Sequence, residues 1–259
     1  MCKLKSAIIL KDRIFIPEYD SHSDMLEELG IKDNYLGASK KFVRAELSPA
    51  DDDVFTDIDY WEFVVDQDIV PVWFSKEEYK PKMVEAVKEW AKTHIHVGVN
   101  GLKIEGGKNH YIKDCKDVEI KNSTVTALEN STVTALENST VTARENSTVT
   151  ALENSTVTAW GNSTVTAWGN STVTARENST VTAWGSSTVT ARENSTVTAR
   201  ENSTVMNDDY WNWYKQDKLI LYDNSTFKDK KGKVIYQAGN YKLISVESGK
   251  AIGEANEQK

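Results

Sequence analysis

The chain has 259 residues, 39% of them hydrophobic, with a formal net charge of −8 at pH 7 and a pI near 5.2. Its length suits one extended or two compact domains, and its negative charge argues against sequence-independent binding to nucleic-acid phosphates, which requires a basic face. Its two cysteines, Cys2 and Cys115, show neither metal-ligand spacing nor a disulfide framework, which is typical of a reducing compartment.

The N-terminal part, residues 1–100, is predicted to form a small α+β domain. Its first apolar run, 7–10, ends at Lys11 and is too short for a signal peptide or a transmembrane helix. We therefore expect a cytoplasmic protein with no membrane association. The predicted elements are strands at 6–10 and 14–17, a helix at 23–30 with Ser23 as N-cap, strands at 41–47 and 60–66, and a helix at 75–92 that opens on a capping box.

The segment 101–121 contains several glycines and short apolar pairs, and it is predicted to cap the N-terminal end of the repeat that follows. From Asn122 to Val205 one octapeptide recurs, Asn-Ser-Thr-Val-Thr-Ala followed by two variable residues. Ten copies are essentially complete, and an eleventh breaks off after Val205. Self-similarity at a fixed short period is the signature of a solenoid. We expect a mainly β fold, with a parallel β-solenoid (β-helix) over 122–205.

The facing of each octad follows from the alternation of side chains along a β-strand. Ser123, Val125 and Ala127 share one face and are predicted to point inward. Thr124 and Thr126 share the other face and are predicted to point to solvent. Every octad therefore carries an outward Thr-x-Thr pair.

A single octad cannot close a coil around a core, because its perimeter is too short. Two octads would give a two-sided, 16-residue coil, and three octads would give a triangular, 24-residue coil. The small inward residues favour the 16-residue form, although the 24-residue form also gives sensible columns. In 16-residue coils the variable residues stack in two columns: Leu128, Arg144, Trp160, Arg176 and Arg192; and Leu136, Leu152, Trp168, Trp184 and Arg200. Trp160 would then lie between two guanidinium groups, and the corner asparagines would form a ladder.

The segment 206–248 is predicted to be a C-terminal β cap that closes the open edge of the stack. In it Phe227 occupies the inward valine position of an echo of the repeat. The last residues, 249–259, are polar and are predicted to be a disordered tail.

Residues with catalytic or metal-binding chemistry are few. Of the four histidines, His94 and His96 could share one strand face, but no cysteine or carboxylate completes a metal set. The repeat contains no histidine, and no serine or threonine has a base at motif spacing. Its glutamates are expected to pair with corner arginines rather than to act as an acid–base couple. We therefore predict a protein that is not an enzyme and has no cofactor and no metal site.

The candidate binding residues are the outward threonines and the aromatic residues of the repeat and its C-terminal cap. Exposed aromatic residues are typical of binding hot spots; the alternative is that these rings only pack at coil corners and at the end of the stack. The residues selected are Thr124, Thr126, Thr156, Thr158, Thr164, Thr166, Trp160, Trp168, Trp184, Trp211 and Trp213.

The octad Ala-Trp-Gly-Asn-Ser-Thr-Val-Thr at 159–166 resembles that of bacterial ice nucleation proteins, Ala-Gly-Tyr-Gly-Ser-Thr-x-Thr. Ala159, Ser163, Thr164 and Thr166 match, whereas the aromatic residue and the glycine are shifted. The resemblance is confined to 122–205 and implies 16-residue coils that display Thr-x-Thr arrays to water. The layout, with the segment 5–12 preceding the octads, is also similar to octapeptide-repeat proteins of gut bacteria and their phages, which have no assigned activity.

These patterns lead to two functional hypotheses. The first is a binding or scaffold protein whose solenoid surface holds a macromolecular partner, a protein; the acidic charge and a mobile-element origin would suit an inhibitor or a decoy. The second is an ice-binding protein, because threonine spacings of about 7 Å along a strand and about 4.8 Å between strands resemble water spacings on ice. The regular faces would also allow a homo-oligomer.

Overall fold

The computed structural model describes residues 5–192, 194–207, 218–228, 234–237, 241–247 and 250–255. Contacts divide the chain into two compact units, Met1–Ile95 and His96–Lys259. Among the described residues, no helix combines the length and the apolar character needed to cross a bilayer.

The first unit is a four-stranded antiparallel sheet with three α-helices. Its strands pair in the order β2-β1-β3-β4. A 3-10 helix at Ile58–Tyr60 lies at the end of an acidic loop. The bounds are β1 (Lys5–Leu10), β2 (Ile14–Phe15), α1 (His22–Glu28), α2 (Tyr35–Lys40), β3 (Phe42–Ser48), β4 (Glu62–Val65) and α3 (Lys76–His94).

Helix boundaries in this unit follow from side-chain capping. The N-cap of α1 is Ser21, whose hydroxyl accepts from the Asp24 N–H, so the predicted cap Ser23 is wrong by two residues. Both serines precede the apolar pair of the helix, and only the backbone conformation distinguishes them. The Asn34 side chain caps α2, which the sequence did not predict. The predicted cap of α3 is confirmed, because the Ser75 hydroxyl accepts from the Glu78 N–H.

Strand β1 is buried on both faces. Ile8 packs with Met25 and Leu26 of α1, while the next residues on either side, Ala7 and Ile9, are also fully buried. The apolar stripe of α3 is buried as expected, at Met83, Val84, Val87 and Trp90. This small domain therefore has a sheet that is covered on both sides.

Within the described residues, the second unit contains two ten-stranded sheets, and successive strands alternate between them throughout the repeat. The sheet termed the odd sheet contains β5 (Ile95–Val97), β7 (His110–Lys113), β9 (Thr124–Leu128), β11 (Thr140–Ala143), β13 (Thr156–Ala159), β15 (Thr172–Ala175), β17 (Thr188–Ala191), β19 (Thr204–Asn207), β21 (Thr226–Lys228) and β22 (Val234–Gln237). The even sheet contains β6 (Lys103–Glu105), β8 (Val118–Lys121), β10 (Thr132–Leu136), β12 (Thr148–Ala151), β14 (Thr164–Ala167), β16 (Thr180–Ala183), β18 (Thr196–Ala199), β20 (Lys218–Leu221), β23 (Tyr241–Glu247) and β24 (Lys250–Ala255).

The repeat forms a parallel β-solenoid with 16-residue, two-sided coils. Thr140 pairs with Thr156 and Val141 with Val157 in the odd sheet, and the same spacing of two octads recurs through both sheets. The predicted architecture is thus confirmed, and the 24-residue alternative is wrong. Two sheets suffice because the residues between them are small enough for a close approach.

The predicted facing is confirmed along the repeat. From Val141 to Val205 every repeat valine is completely buried, and so are the repeat alanines from Ala143 to Ala199 and the serines from Ser131 onward. The valines and alanines belong to one continuous hydrophobic core from Ile104 to Phe227. The threonines alternate with them and are exposed or half-buried.

Each buried serine hydroxyl of the repeat is satisfied by backbone carbonyls. Ser147 donates to the carbonyl of Arg144 at 2.7 Å, and its hydroxyl also lies 3.3 Å from the carbonyl of Ala127 in the preceding coil. The contact to the carbonyl three residues earlier recurs at Ser131, Ser139, Ser155, Ser163, Ser171, Ser179, Ser187, Ser195, Ser203 and Ser225. A buried hydroxyl without a partner would be costly, so this repeated bond makes a polar residue acceptable in the core. An amide contact of the predicted asparagine ladder joins Asn138 to Asn122 at 3.5 Å.

The corners between strands use left-handed backbone. Glu129 has φ 42° and Asn130 has φ 57°, whereas Gly161 occupies the equivalent of the glutamate position with φ 62°. A side chain at positive φ is strained, and glycine avoids this cost. The Trp-Gly octads therefore turn their corners with less strain than the Leu-Glu and Arg-Glu octads.

The C-terminal part continues the coil and then reverses it. Phe227 pairs with Val205 and is fully buried, as expected for the inward valine position. Strands β22, β23 and β24 then add in antiparallel orientation at the ends of the two sheets. The prediction of a disordered tail at 249–259 is wrong over Lys250–Ala255, because this segment pairs with β23 and completes the edge of the even sheet.

Replacing Val157 with Asp should unfold the central coils. Val157 is completely buried, and an unpaired carboxylate there should cost on the order of 4 kcal/mol or more. The matched change Thr156→Ala, on the exposed face of the same strand, should alter stability by about 0.5 kcal/mol or less. Thermal unfolding followed by circular dichroism measures both. Equal losses would contradict the facing of the strand.

Replacing Gly185 with Ala should destabilise the solenoid more than replacing Gly161. Both glycines have positive φ, near 67° and 62°, so both variants acquire a strain of about 1 kcal/mol. A Cβ at Gly185 would also lie 3.1 Å from the backbone nitrogen of Gly169, whereas at Gly161 the nearest atom is 3.5 Å away. Denaturant unfolding of the two variants tests this order. A larger loss of unfolding free energy for Gly161→Ala than for Gly185→Ala would contradict close packing of the backbone at the Gly185 corner.

Candidate functional site

Outward threonines form a regular surface on each sheet of the second unit. In the odd sheet Thr140, Thr156, Thr172 and Thr188 lie in one row across the strands, and the second threonine of each octad forms a parallel row. The even sheet repeats this arrangement from Thr132 to Thr196. The geometry of parallel sheets spaces neighbours about 4.8 Å apart across strands and about 7 Å apart along a strand. We term these two surfaces the odd and the even threonine lattice.

The two threonines of an octad differ in exposure. Along the middle of the solenoid the first threonine is exposed, as at Thr156 and Thr164, and the second is half-buried, as at Thr158 and Thr166. The first row therefore projects as the principal contact row of each lattice.

The structure divides the predicted threonines between the two lattices. Thr124 and Thr126 lie in the same sheet as Thr156 and Thr158, two coils away along the stack. Thr164 and Thr166 belong to the even sheet. The six threonines therefore belong to two repetitive surfaces rather than to one compact site.

The chemistry of each lattice is uniform. A threonine side chain offers a hydroxyl that donates and accepts hydrogen bonds, together with a methyl group, and it carries no charge. Its branched Cβ restricts χ1, so the side chain is largely ordered before any contact is made. Such a surface can bind a flat or periodic partner, but its threonine rows offer no acid–base pair.

One edge of the solenoid carries a column with a single tryptophan. The Arg176 guanidinium lies over the Trp160 ring at 4.4 Å from the ring centroid, as predicted for one side of this ring. Trp160 and Gly161 line a shallow groove of about 280 Å³ together with Arg144, Glu145 and Glu177. Trp160 is half-buried in this stack and presents part of its surface to the groove.

The opposite edge carries a stacked aromatic column. Trp168 and Trp184 are nearly parallel, 5.0 Å apart and inclined by 6°. The Arg200 guanidinium lies between the rings of Trp184, at 4.7 Å, and Tyr222, at 4.1 Å. Trp168 ends this stack and is 41% exposed. Among the repeat tryptophans, Trp168 thus has the largest exposed fraction for an external contact, whereas Trp160 and Trp184 are half-buried in their stacks.

The corner glutamates have partners other than those predicted. Glu129 pairs with Lys113 at 2.6 Å and Glu137 with Lys121 at 2.9 Å, so the expected pairing with arginines is wrong at these corners. The hydrogen bond to Glu137 raises the pKa of Lys121. At the Trp-Gly corners glycine leaves the backbone accessible, and Glu177 accepts the Gly161 N–H at 2.9 Å.

The same type of hydrogen bond recurs on the opposite edge of the solenoid, where Glu201 accepts the Gly185 N–H at 2.8 Å. Sequence reasoning missed these bonds because the period aligns side chains but does not show which backbone N–H a corner carboxylate reaches, and it missed Tyr222 because this residue lies beyond the repeat. Trp211 and Trp213, also predicted as binding residues, lie outside the described residues.

The described site is therefore a pair of threonine lattices bordered by two edges of arginine and tryptophan. We compared the chain with family models, with curated proteins and with solved structures, and none of them matches it.

Proposed function

We propose that this protein is a non-enzymatic binding or scaffold protein that holds a macromolecular partner, a protein, on its threonine lattices. The observation that supports this proposal best is the in-register repetition of outward threonines on both sheets. A surface with one chemistry repeated at fixed spacing suits recognition of an extended or repetitive partner. Such flat rows do not surround a small substrate with reactive groups.

Rigidity also supports a binding role. The lattices rest on a fully buried core and on backbone hydrogen bonds between successive coils, such as Thr156 N–H to Ser139 carbonyl at 2.9 Å. Because the threonines are already ordered, association loses little side-chain entropy. The partner therefore gains affinity from many weak, pre-arranged contacts.

The edges of the lattices supply the features that a uniform surface lacks. The exposed part of Trp168 can act as an anchor of the type common in binding hot spots. The net charge of −8 favours a partner with a basic surface. An inhibitor or decoy role would use these same contacts to occupy a partner that normally binds another acidic surface.

Lysines placed on one lattice should weaken partner binding there. The double variant Thr156→Lys and Thr172→Lys alters the odd lattice, and Thr164→Lys with Thr180→Lys alters the even lattice at matched, exposed positions. Each lysine projects a charged chain from a flat surface, so a partner identified by cross-linking in host extract should bind at least tenfold more weakly to the affected variant. Removing one whole coil, 154–169, should also weaken binding because the lattice is shorter. Undiminished partner binding by all three variants would contradict the proposal and would indicate that the solenoid serves only as a spacer.

A second candidate function is ice binding, favoured by the two-dimensional spacing of the threonines, about 4.8 Å by about 7 Å. The resemblance of the octads to those of ice nucleation proteins supports the same function. Hydroxyls and methyl groups at these spacings can order water in a pattern compatible with an ice face.

Purified protein should then produce thermal hysteresis and inhibit recrystallisation of ice. The two double-lysine variants should each lose part of this activity, and the combined quadruple variant should lose all of it. If the unmodified protein at high concentration shows neither thermal hysteresis nor inhibition of recrystallisation, ice binding is eliminated. This result does not bear on the proposal of a macromolecular partner, which the binding experiment above tests.

A further inference from the structure

A buried histidine and two carboxylates converge in the first unit, far apart in sequence. His22 is the first residue of α1, Glu46 lies within β3, and Asp66 directly follows β4. Their ligand atoms all lie within 4.8 Å of one another. The sequence indicated no such group, because the three residues share no motif spacing and meet only when α1 packs on the sheet.

The hydrogen bond of His22 defines which ring nitrogen faces the carboxylates. Nε2 lies 3.2 Å from the carbonyl oxygen of Ala45. A carbonyl can only accept, so this nitrogen carries a proton, and in the neutral ring Nδ1 has a free lone pair. Histidines that bind a metal usually donate their other N–H to a carboxylate, a backbone carbonyl or water, and His22 has such a bond.

The Nδ1 atom faces the Asp66 carboxylate across a gap that suits a cation. The separation from Nδ1 to Oδ2 is 3.4 Å, longer than the distance of about 2.7–2.9 Å that is typical of a charged N–H···O bond. Two ligands on a tetrahedral zinc ion with bonds of about 2.0–2.1 Å are ~3.4 Å apart. Two lone pairs at this distance repel unless a proton or a metal ion lies between them.

An unpartnered hydroxyl lies on the same face of the sheet as Glu46. Ser6 is completely buried, and within the described part of the chain its Oγ has no hydrogen-bond partner. Ser6 pairs directly with Glu46 across β1 and β3, so the two side chains lie on the same face of the sheet. A buried hydroxyl without a partner indicates a missing polar neighbour, which a metal-bound water can supply.

The exposed ligand is held in place by the backbone beside it. The Asp66 N–H donates to the Arg44 carbonyl at 2.9 Å. The adjacent Gln67 accepts the Arg44 N–H at 2.8 Å and donates to the Ile69 carbonyl at 2.6 Å. These bonds attach the segment after β4 to β3, and thus fix Asp66 opposite His22.

We propose that His22, Glu46 and Asp66 bind one divalent first-row transition-metal ion, for which Zn²⁺ is the best fit. One imidazole and two carboxylates suit zinc, whereas Mg²⁺ prefers an all-oxygen octahedron. His22 and Glu46 are buried, while the Asp66 side chain is 59% exposed. The ion therefore has a path from solvent and keeps a fourth position for water, and it joins α1 to β3 and to the end of β4.

The test is zinc titration of the metal-free full chain by calorimetry, with Asp66→Asn and Asp68→Asn as a matched pair. Asp68 is also near the surface but is not part of the group. The unmodified protein and Asp68→Asn should bind one Zn²⁺ with the same affinity, and Asp66→Asn should bind at least tenfold more weakly. Magnesium should give no saturable heat.

Cobalt supplies a second readout that does not depend on affinity alone. Co²⁺ bound by the unmodified protein should show the visible absorption of a tetrahedral site, and this absorption should be lost in Asp66→Asn and in Glu46→Gln. Circular dichroism identifies any variant that fails to fold. No saturable zinc binding by the unmodified protein, or equal binding by Asp66→Asn and Asp68→Asn, would overturn the proposal.

Discussion

The small distance between the two sheets is the constraint on which the solenoid depends. Only serine, valine and alanine face the interior of the repeat, and they are fully buried through its central coils. So little apolar surface per coil leaves a large share of the stabilisation to hydrogen bonds between coils. The serine hydroxyl fits this interior because it bonds to a carbonyl three residues earlier, as Ser163 does to Trp160. A larger inward residue would separate the sheets, and a polar residue without such a bond would be left unsatisfied.

The uniform interior also generates the uniform exterior. Because each valine pairs with the valine two octads later, the threonines on either side of it align in the same register. Variation is confined to the corners, where tryptophan, arginine, glutamate and glycine form the two edges. The repeat thus separates its tasks: the inner residues set the geometry, the threonines form the surface, and the corners provide local differences. Since near-identical units specify register weakly, the distinct ends of the solenoid define where the stack begins and finishes.

Sequence periodicity predicted the solenoid, the inward valines and the outward threonines, because these depend only on alternation along a strand. The small inward residues also favoured the correct coil of two octads. Contacts that the repeat period does not specify were not predictable in this way. The pairing of Glu201 with the Gly185 N–H, the stacking of Arg200 on Tyr222 and the meeting of His22 with Glu46 all require tertiary structure. The choice of Ser21 over Ser23 as a cap depended on backbone angles that neighbouring residues do not reveal.

The two-octad coil has a consequence for how such an array can change length during evolution. Gain or loss of an even number of octads leaves every later strand in its original sheet and every later corner on its original edge. Gain or loss of an odd number of octads moves every later strand to the other sheet and every later corner to the other edge. Trp184 and Arg200 would then still stack on each other, but the residues before the insertion or deletion would no longer be in the same column. The terminal antiparallel strands, which extend β20 and β21, would also exchange sheets. Length variants of this chain should therefore differ by whole coils, a parity rule imposed by folding rather than by the repeat unit of the gene.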